Sequence, residues 1–325
     1  MDPSYSRTAI LMNQDPNGEI CMVSSSLIYF KTGFYSLINK IIDADRIIIS
    51  SPCQLLVFQL LIFRRKIILD AGWPLSDSNL DSSKRTFRKI KNLVIDYFSF
   101  QLSPVILTES TQQSEYISSK FGVKSTKLKV SFTGVLEKRF SEIKKIERRK
   151  KPKIVLFRGK NNDEAGISKI LILAKYLDQD IKVLIVSNRI CRKWEIPSNV
   201  DIVEEFISDQ KIREIYAEAS ISIGQLGNSE RLSRTIPHKF FESFYFGVPY
   251  LTPNYPSLMQ FMKEGELPKL ILYSTEPKYI ADSINRLLRN EKILRTIELD
   301  MRKQYQKHMS NQNIFTHYSL KILEN

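Results

Sequence analysis

Short runs of β-branched and other apolar residues alternate along the chain with longer stretches in which apolar positions recur every three or four residues. The short runs, such as RIIIS at 46–50 and KIILD at 66–70, show little apolar–polar alternation, which is typical of strands buried on both faces of a parallel sheet. The longer stretches are typical of helices that cover such a sheet. The pattern therefore predicts an α/β protein built from parallel strands and helices.

The predicted elements fall into two halves. In the first half we predict strands at 19–24, 46–50, 66–70, 105–108 and 127–132, and helices at 34–42, 54–63, 83–102 and 112–121. In the second half we predict strands at 153–157, 182–187, 201–203, 221–223 and 248–251, with helical stretches between them. Each half is thus predicted to be a Rossmann-like doubly wound sheet. We expect an N-terminal domain at 1–143, a basic linker at 144–153, a C-terminal domain at 154–289 and a helical tail at 290–325.

The opening of the first half departs from this scheme. A doubly wound sheet normally begins with a strand that leads into a phosphate-binding turn, whereas residues 2–13 are typical of the start of a helix. Either the first strand of the N-terminal domain is missing or the true start lies upstream.

Composition indicates what kind of partner the protein binds and in which compartment it works. The 325 residues include 49 Lys and Arg against 35 Asp and Glu, which gives a net charge of +14 and favours an anionic partner. The three cysteines are odd in number and far apart, so they indicate neither a disulfide framework nor a zinc site, and a reducing cytoplasm is expected. The longest apolar run, 55–63, is too short to span a bilayer, and no basic, apolar leader opens the chain. We expect a cytoplasmic protein that is soluble or peripheral on a membrane.

A loop with phosphate-binding character follows the strand at 153–157. Its sequence, RGKNNDEAG, ends where a helix is predicted to begin, so unpaired backbone N–H groups would face the loop. Gly159 permits close backbone approach, and Arg158 and Lys160 supply positive charge. A diphosphate site and an ordinary polar connection both fit this pattern.

A second candidate is SRTIPHKFFESFYFGVPYLTP at 233–253. Pro237 suits the start of a helix, and Gly247 followed by Pro249 suits its end. Lys239 and Glu242 are three residues apart and share a helix face, where a carboxylate can accept hydrogen bonds from ribose hydroxyls. An exposed ion pair within the helix is the alternative.

The second candidate resembles the nucleotide-sugar signature of family 4 glycosyltransferases, a retaining family of GT-B fold, in which Pro-x-Lys precedes a helix with Glu, then Gly-x-Pro and an apolar strand. Other segments resemble that family in the same order: DADRIIISSP, VILTESTQQSEYISSKFGV, KLKVSFTGVLEKRF, IVLFRGKNNDEAGISKIL and VEEFISDQKIREIYAEASISI. The resemblance covers most of the chain after residue 19. It implies two Rossmann-like domains facing across a cleft.

The chain also departs from the family pattern. Lys160 stands where the phosphate loop has arginine, Ala165 where a second basic residue is usual, and Arg234 where many members have another glutamate. Thr133 and Leu136 replace an asparagine and an aspartate, and AGWP replaces a segment with a histidine. We infer that Arg234 or Lys239 restores the positive charge absent at Ala165.

The resemblance implies transfer of a hexosyl-type sugar, with retention of configuration, from a nucleotide diphospho-sugar to a glycan or lipid-linked acceptor. Lys160 and Arg158 are the expected catalytic residues, which would stabilise charge on the leaving diphosphate. The expected nucleotide-sugar contacts are Gly159, Phe206, Ile207, Arg234, Lys239 and Glu242. No cofactor, no bound metal and no nucleic acid are expected. The C-terminal tail is expected to cross back to the N-terminal domain.

The helix at 83–102 carries most of the remaining candidate residues. Phe87, Ile90, Val94, Tyr97 and Phe98 form a stripe at helical spacing, and basic residues crowd the first turns. The helix either packs its stripe in the core or lies on an anionic membrane surface, such as the inner face of the cell membrane, and delivers a lipid-linked acceptor. In the second case Arg85, Arg88, Lys89 and Trp73 would lie on the acceptor side.

Three other functions are compatible with parts of the sequence. The departures from the family pattern fit a catalytically inactive binding or scaffold protein, and a nucleotide-sugar epimerase shares the fold. A nucleic-acid-binding protein would rest on charge alone, because no nucleic-acid-binding module is present.

Overall fold

The computed structural model describes residue 39 and residues 41–77, 85–140, 153–188, 194–204 and 207–318. It divides into two units, one formed by Met1–Thr133 and Ile314–Asn325 and the other by Gly134–Asn313. Residues 134–143, which we assigned to the N-terminal domain, and residues 290–313, which we assigned to the tail, thus belong to the second unit. The predicted strand at 19–24, the opening segment at 2–13, most of the helix at 34–42 and most of the linker lie outside the described residues.

The first unit contains a parallel sheet whose described strands follow chain order, β1-β2-β3-β4. These strands are β1 (Ile47–Ser50), β2 (Ile67–Asp70), β3 (Val105–Thr108) and β4 (Leu128–Val130). The helices between them are α1 (Leu56–Gln59), α2 (Arg85–Leu102) and α3 (Thr111–Phe121), with 3-10 turns at Leu61–Lys66 and Leu75–Asp77.

Local sequence explains these boundaries. All four residues of β2 are buried, as expected for a strand covered on both faces. Helix α3 begins after Ser110, whose hydroxyl accepts a hydrogen bond from the N–H of Gln113 at 3.0 Å, and it ends at Gly122 in the left-handed conformation. Ile49, Val57, Leu69, Phe100, Ile106 and Ile117 belong to the core that joins the helices to the sheet.

The second unit contains a six-stranded parallel sheet of order β10-β9-β8-β5-β6-β7. Its strands are β5 (Lys153–Arg158), β6 (Ile181–Val186), β7 (Val200–Val203), β8 (Ile221–Ile223), β9 (Tyr250–Pro253) and β10 (Ile271–Leu272). The strand order reverses between β5 and β8, which lie side by side. In open parallel sheets, this reversal opens a crevice at the carboxyl ends of the two strands, where ligands bind.

The helices of this unit include α4 (Ile167–Ala174), α5 (Asp209–Glu218), α6 (His238–Phe246), α7 (Pro256–Met262), α8 (Pro277–Leu288) and α9 (Glu291–Gln304). A π-helical turn at Tyr305–Met309 and helix α10 (Asn311–Tyr318) lead back to the first unit, which the chain re-enters at Ile314.

The predicted α/β architecture with parallel sheets is confirmed. Two details differ: the helix predicted at 54–63 is the single turn α1 followed by a 3-10 stretch, and β10, only two residues long, was not predicted. Within the described ranges, no helix is both long enough and apolar enough to span a bilayer.

Candidate functional site

Two loops meet where the strand order of the second sheet reverses. The loop after β5 and the loop after β8 are joined by backbone hydrogen bonds from Leu226 N to Ala165 O at 3.2 Å and from Gly227 N to Glu164 O at 3.0 Å. A Cβ atom added at Gly227 would overlap the carbonyl oxygen of Asp163. This close approach requires glycine and fixes the loops against each other.

A buried ion pair holds the same loops together. Glu164 is 3% exposed and accepts hydrogen bonds from Arg231 Nε at 2.6 Å and Ser229 Oγ at 3.2 Å, while a second Arg231 nitrogen bonds the other carboxylate oxygen. The sequence analysis missed this pair, because nothing in the spacing of Glu164 and Arg231 signals a contact. The pair stabilises the loop that carries Gly159 and Lys160.

Glu242 lies at the centre of a polar cluster that links α6 to β5 and α5. Its carboxylate accepts hydrogen bonds from Arg158 Nε at 3.0 Å and Tyr216 Oη at 2.9 Å, and a further bond from Arg158 Nη2. His238 Nδ1 lies 3.1 Å from Oε1. Because an ionised carboxylate only accepts, His238 Nδ1 is the protonated ring nitrogen in this contact.

The four donors occupy all the acceptor positions that a carboxylate offers, which number about four. Burial alone would raise the pKa of Glu242, but the charge of Arg158, followed by that of His238, outweighs it and holds that pKa far below its usual range. Burial and the neighbouring Glu242 carboxylate raise the pKa of Tyr216, so its hydroxyl remains a donor. Glu242 is therefore an ionised anchor rather than a vacant acceptor.

Lys239 is the least satisfied polar side chain of the cluster. It is 5% exposed, its Nζ has no hydrogen-bond partner, and that atom lies 3.7 Å from the ring centroid of Phe157. Burial, followed by the charge of Arg158, holds the pKa of Lys239 well below its usual range. The ring of Phe157 favours the charged amine, but one ring replaces only part of the water shell that burial removes.

The buried amine lies beside Gly159, in the loop after β5. A Cβ atom added at Gly159 would come within 3.4 Å of Lys239 Nζ. Lys239 is also in the first turn of α6, where the backbone N–H groups lack helical partners and attract anions. An anion that approached Gly159 would meet both the helix N-terminus and the Lys239 amine.

The remaining candidate residues of the second unit are dispersed around this cluster. Lys160 is exposed on the loop after β5, and Arg234 is half-buried just before α6. Ile207 is half-buried in the segment that precedes α5, whereas Phe206 lies outside the described residues. The structure therefore brings Arg158, Gly159, Lys239 and Glu242 together.

The four acceptor-side candidates belong to the first unit. Arg88 and Lys89 are exposed on α2, and Arg85 is the first residue of that helix. Trp73 is 40% exposed, and its carbonyl accepts hydrogen bonds from Ser51 Oγ at 3.0 Å and Gln54 Nε2 at 2.9 Å. Across the ranges that the structure describes, no group of three or more His, Cys, Asp or Glu could hold a metal ion.

Comparison with protein families gives a match to glycosyl transferases group 1 over residues 138–308, which is 171 of the 325 residues. The matched region contains β5, α6 and the whole cluster around Glu242. Comparison with curated proteins gives no match.

Solved structures resemble the chain in fold. Sucrose-phosphate synthase from Thermosynechococcus elongatus has a TM-score of 0.69 at 14% identity, covering 95% of this chain and 82% of its own. HepE from Anabaena, in complex with UDP and glucose, has a TM-score of 0.69 at 12% identity, with 93% and 84% covered. WaaG, a glycosyltransferase involved in lipopolysaccharide biosynthesis, has a TM-score of 0.63 at 11% identity, with 93% and 85% covered.

Proposed function

Because this chain belongs to the glycosyl transferases group 1 family, we propose that it transfers a sugar, of hexosyl type, from a nucleotide diphospho-sugar to a glycan or lipid-linked acceptor, with retention of configuration. The observation that carries the donor assignment is the unpartnered Lys239 amine beside Gly159 at the point where the strand order reverses. A diphosphate is the anion that such a crevice accommodates.

The difficult step is departure of the nucleoside diphosphate from the anomeric carbon. The C1–O bond breaks with its electron pair leaving on the β-phosphate oxygen. The acceptor hydroxyl forms the new C1–O bond, and its proton passes to an oxygen of the departing diphosphate. We assign Lys160 to the β-phosphate. Its side chain is exposed on the loop after β5, so its amine is free to contact the negative charge that develops on the phosphate. Lys239 would contact the diphosphate from the buried side, which supplies the second positive charge that Ala165 lacks.

We assign Arg158 a role that differs from the catalytic one expected from the sequence. Its guanidinium is already bound to Glu242 in a two-pronged pair, so we assign it a positioning role and no direct contact with the β-phosphate. Glu242 in turn fixes α6 relative to β5, and with it the Lys239 amine. A ribose hydroxyl could reach Glu242 only by displacing a donor. Arg158 and His238 donate from partly exposed side chains, at 23% and 19%, whereas Tyr216 is buried.

The test is a screen of nucleoside diphosphates and their sugars for thermal stabilisation of the full chain, beginning with UDP-glucose, followed by transfer assays on glycan and lipid-linked acceptors. A donor at about a hundred times its Kd should add about 2.7 kcal/mol of stability. NMR of the product would establish whether the anomeric configuration is retained. Absence of stabilisation by every nucleotide and nucleotide-sugar would refute the donor assignment.

A binding protein without transferase activity is the second candidate. Two observations favour it: Glu242 is saturated by protein donors, and Ala165 is 1% exposed, so the loop has no room for the usual basic side chain there. Nucleotide-sugar binding with neither transfer nor hydrolysis would support this candidate over the enzyme. Conversion of the donor sugar without an acceptor would instead indicate an epimerase.

The enzyme would work in the cytoplasm. The net charge of +14 favours association with an anionic surface, and a peripheral position would bring a lipid-linked acceptor to the protein.

A further inference from the structure

The buried side of α2, which packs against the rest of the first unit, is unusually polar. Asp96 and Ser99 are both fully buried, and Asp96 accepts hydrogen bonds from the backbone N–H groups of Leu75 at 3.0 Å and Ser76 at 2.8 Å. Ser103, just beyond the helix, is also fully buried. Burial usually selects the apolar face of an amphipathic helix, so this arrangement needs an explanation.

The outward side of α2 carries the apolar stripe. Phe87 is 82% exposed, and Ile90, Val94, Tyr97 and Phe98 are each between 45% and 54% exposed. The core-packed alternative for this stripe is therefore wrong. Phe100, which is fully buried edge-to-face on Phe121 with centroids 5.0 Å apart, attaches the helix to the core instead.

The neighbouring helix α1 extends the apolar surface. Phe58 lies against Phe98 in an edge-on contact with ring centroids 6.4 Å apart. Leu55, just before α1, and Ile62, in the 3-10 stretch that follows α1, are 46% and 88% exposed. Contiguous exposed apolar surface of this kind marks a site of interaction.

The exposed charged residues of α1, α2 and the segments next to them are all basic. Over residues 54–77 and 85–102, Asp70 and Asp96 are buried, and the Asp77 side chain is only 6% exposed. The exposed charged residues described in these segments are Arg64, Arg65, Arg88, Lys89 and Lys91. We call these five, together with Leu55, Phe58, Ile62, Phe87, Ile90, Val94, Tyr97 and Phe98, the basic apolar face.

We propose that the basic apolar face docks on an anionic lipid bilayer, with its apolar side chains among the acyl chains and its basic side chains at the headgroups. Basic and apolar side chains on one surface helix are what an interfacial helix requires. Protein–protein interfaces are depleted in lysine, and a second copy would bring five like charges against five. The inference deepens the proposed function, on which it rests for the lipid-linked acceptor.

The experiment is co-sedimentation of the full chain with vesicles of phosphatidylcholine alone or mixed with phosphatidylglycerol, at low and high salt. Two variants address the face: Arg88→Gln/Lys89→Gln/Lys91→Gln for charge and Phe87→Ser/Ile90→Ser/Val94→Ser for apolar contact. Each has a matched control on exposed residues of the second unit, Lys182→Gln/Lys263→Gln/Lys278→Gln and Ile172→Ser/Tyr273→Ser/Leu299→Ser. Thermal melting verifies that every variant is folded.

We expect binding to mixed vesicles that weakens at high salt and is absent on phosphatidylcholine alone. The charge variant should bind about 100-fold more weakly, because each basic residue near the surface contributes about one factor of five. The apolar variant should lose at least as much vesicle affinity as the charge variant. The two controls should bind like the wild type, apart from the small effect of the changed net charge.

Lack of binding to mixed vesicles at low salt would overturn the inference, as would equal losses in variants and controls. A dimer that dissociates in the apolar variant, without vesicle binding, would show a second copy as the occupant instead. Transfer to a soluble acceptor measures the proposed function separately. Transfer without vesicle binding refutes only the docking face, and vesicle binding without nucleotide binding refutes only the donor assignment.

Discussion

Arg158 and Glu242, 84 residues apart in the sequence, form a two-pronged ion pair in which Nε lies 3.0 Å from Oε2. The pair connects the last residue of β5 to the middle of α6, and Tyr216 and His238 complete the shell of the carboxylate. It therefore fixes the position of the helix that carries Lys239.

We expect Glu242→Ala to lower the free energy of unfolding by about 3 kcal/mol, because it leaves the guanidinium of Arg158 largely buried without its counter-ion. The contribution of Glu242 also depends on pH. Its folded pKa lies below the unfolded value, so the contribution is present above about pH 4.5 and is lost as the pH falls below it. Urea unfolding of wild type and Glu242→Ala at neutral and acidic pH measures both effects.

Glu195→Ala is the control for this variant, since that carboxylate is 82% exposed and pairs with Lys175 at the surface. It should leave the urea midpoint nearly unchanged. Equal midpoints for Glu242→Ala and the wild type at neutral pH would mean that the Arg158–Glu242 pair does not stabilise the fold.

The sequence allowed most strands to be predicted because their β-branched runs are continuous, and β3 and β8 were predicted to the residue. The orientation of α2 could not be predicted. An apolar stripe at helical spacing has the same pattern whether it faces a core or a membrane, and the buried face depends on Asp96 meeting Leu75 and Ser76, which are distant in the sequence. Only part of the Glu242 cluster could be predicted. The motif singled out Glu242, but its contacts with Arg158 and Tyr216 join residues that are distant in the sequence and meet only in the folded chain.

Lys239→Met should make the protein more stable at pH 7, by about 1–3 kcal/mol, because it removes a buried amine without a hydrogen-bond partner. The folded pKa of Lys239 is lowered, so the unfolded chain binds more protons there and the stability of the wild type rises with pH up to the ordinary lysine value. The advantage of the variant should therefore shrink as the pH approaches 10.5.

Urea unfolding of both proteins from pH 7 to pH 10 measures this difference. Lys160→Met, on an exposed side chain of the neighbouring loop, is the control and should change stability little. A Lys239→Met protein that is less stable than the wild type at pH 7 would show that the amine is satisfied in the fold.

Binding of a nucleoside diphosphate should be accompanied by uptake of up to one proton at Lys239. A diphosphate beside the amine favours its charged form and raises its pKa from the lowered value of the free protein. Affinity should therefore decline as the pH rises. Titration calorimetry in two buffers of different ionisation enthalpy measures the protons taken up.

The Lys239→Met variant separates this uptake from protonation of the nucleotide itself. It should bind the nucleotide at least about tenfold more weakly than the wild type. The proton uptake that remains should be that of the nucleotide itself. The same proton uptake in the variant and the wild type would place the titrating group elsewhere.

Lys160→Ala should lower kcat more than it lowers affinity for the free nucleoside diphosphate. Charge on the β-phosphate grows as the C1–O bond breaks, so a cation placed there stabilises the transition state more than the bound donor. Loss of one such group costs about 100-fold to 1,000-fold in kcat, whereas we expect less than about tenfold in Kd. Lys160→Arg should restore much of the lost rate, and Lys182→Ala, exposed on β6, should leave both parameters unchanged. Equal losses in kcat and affinity would make Lys160 a binding residue only, and loss of neither would transfer the assignment to Arg234, which lies just before α6.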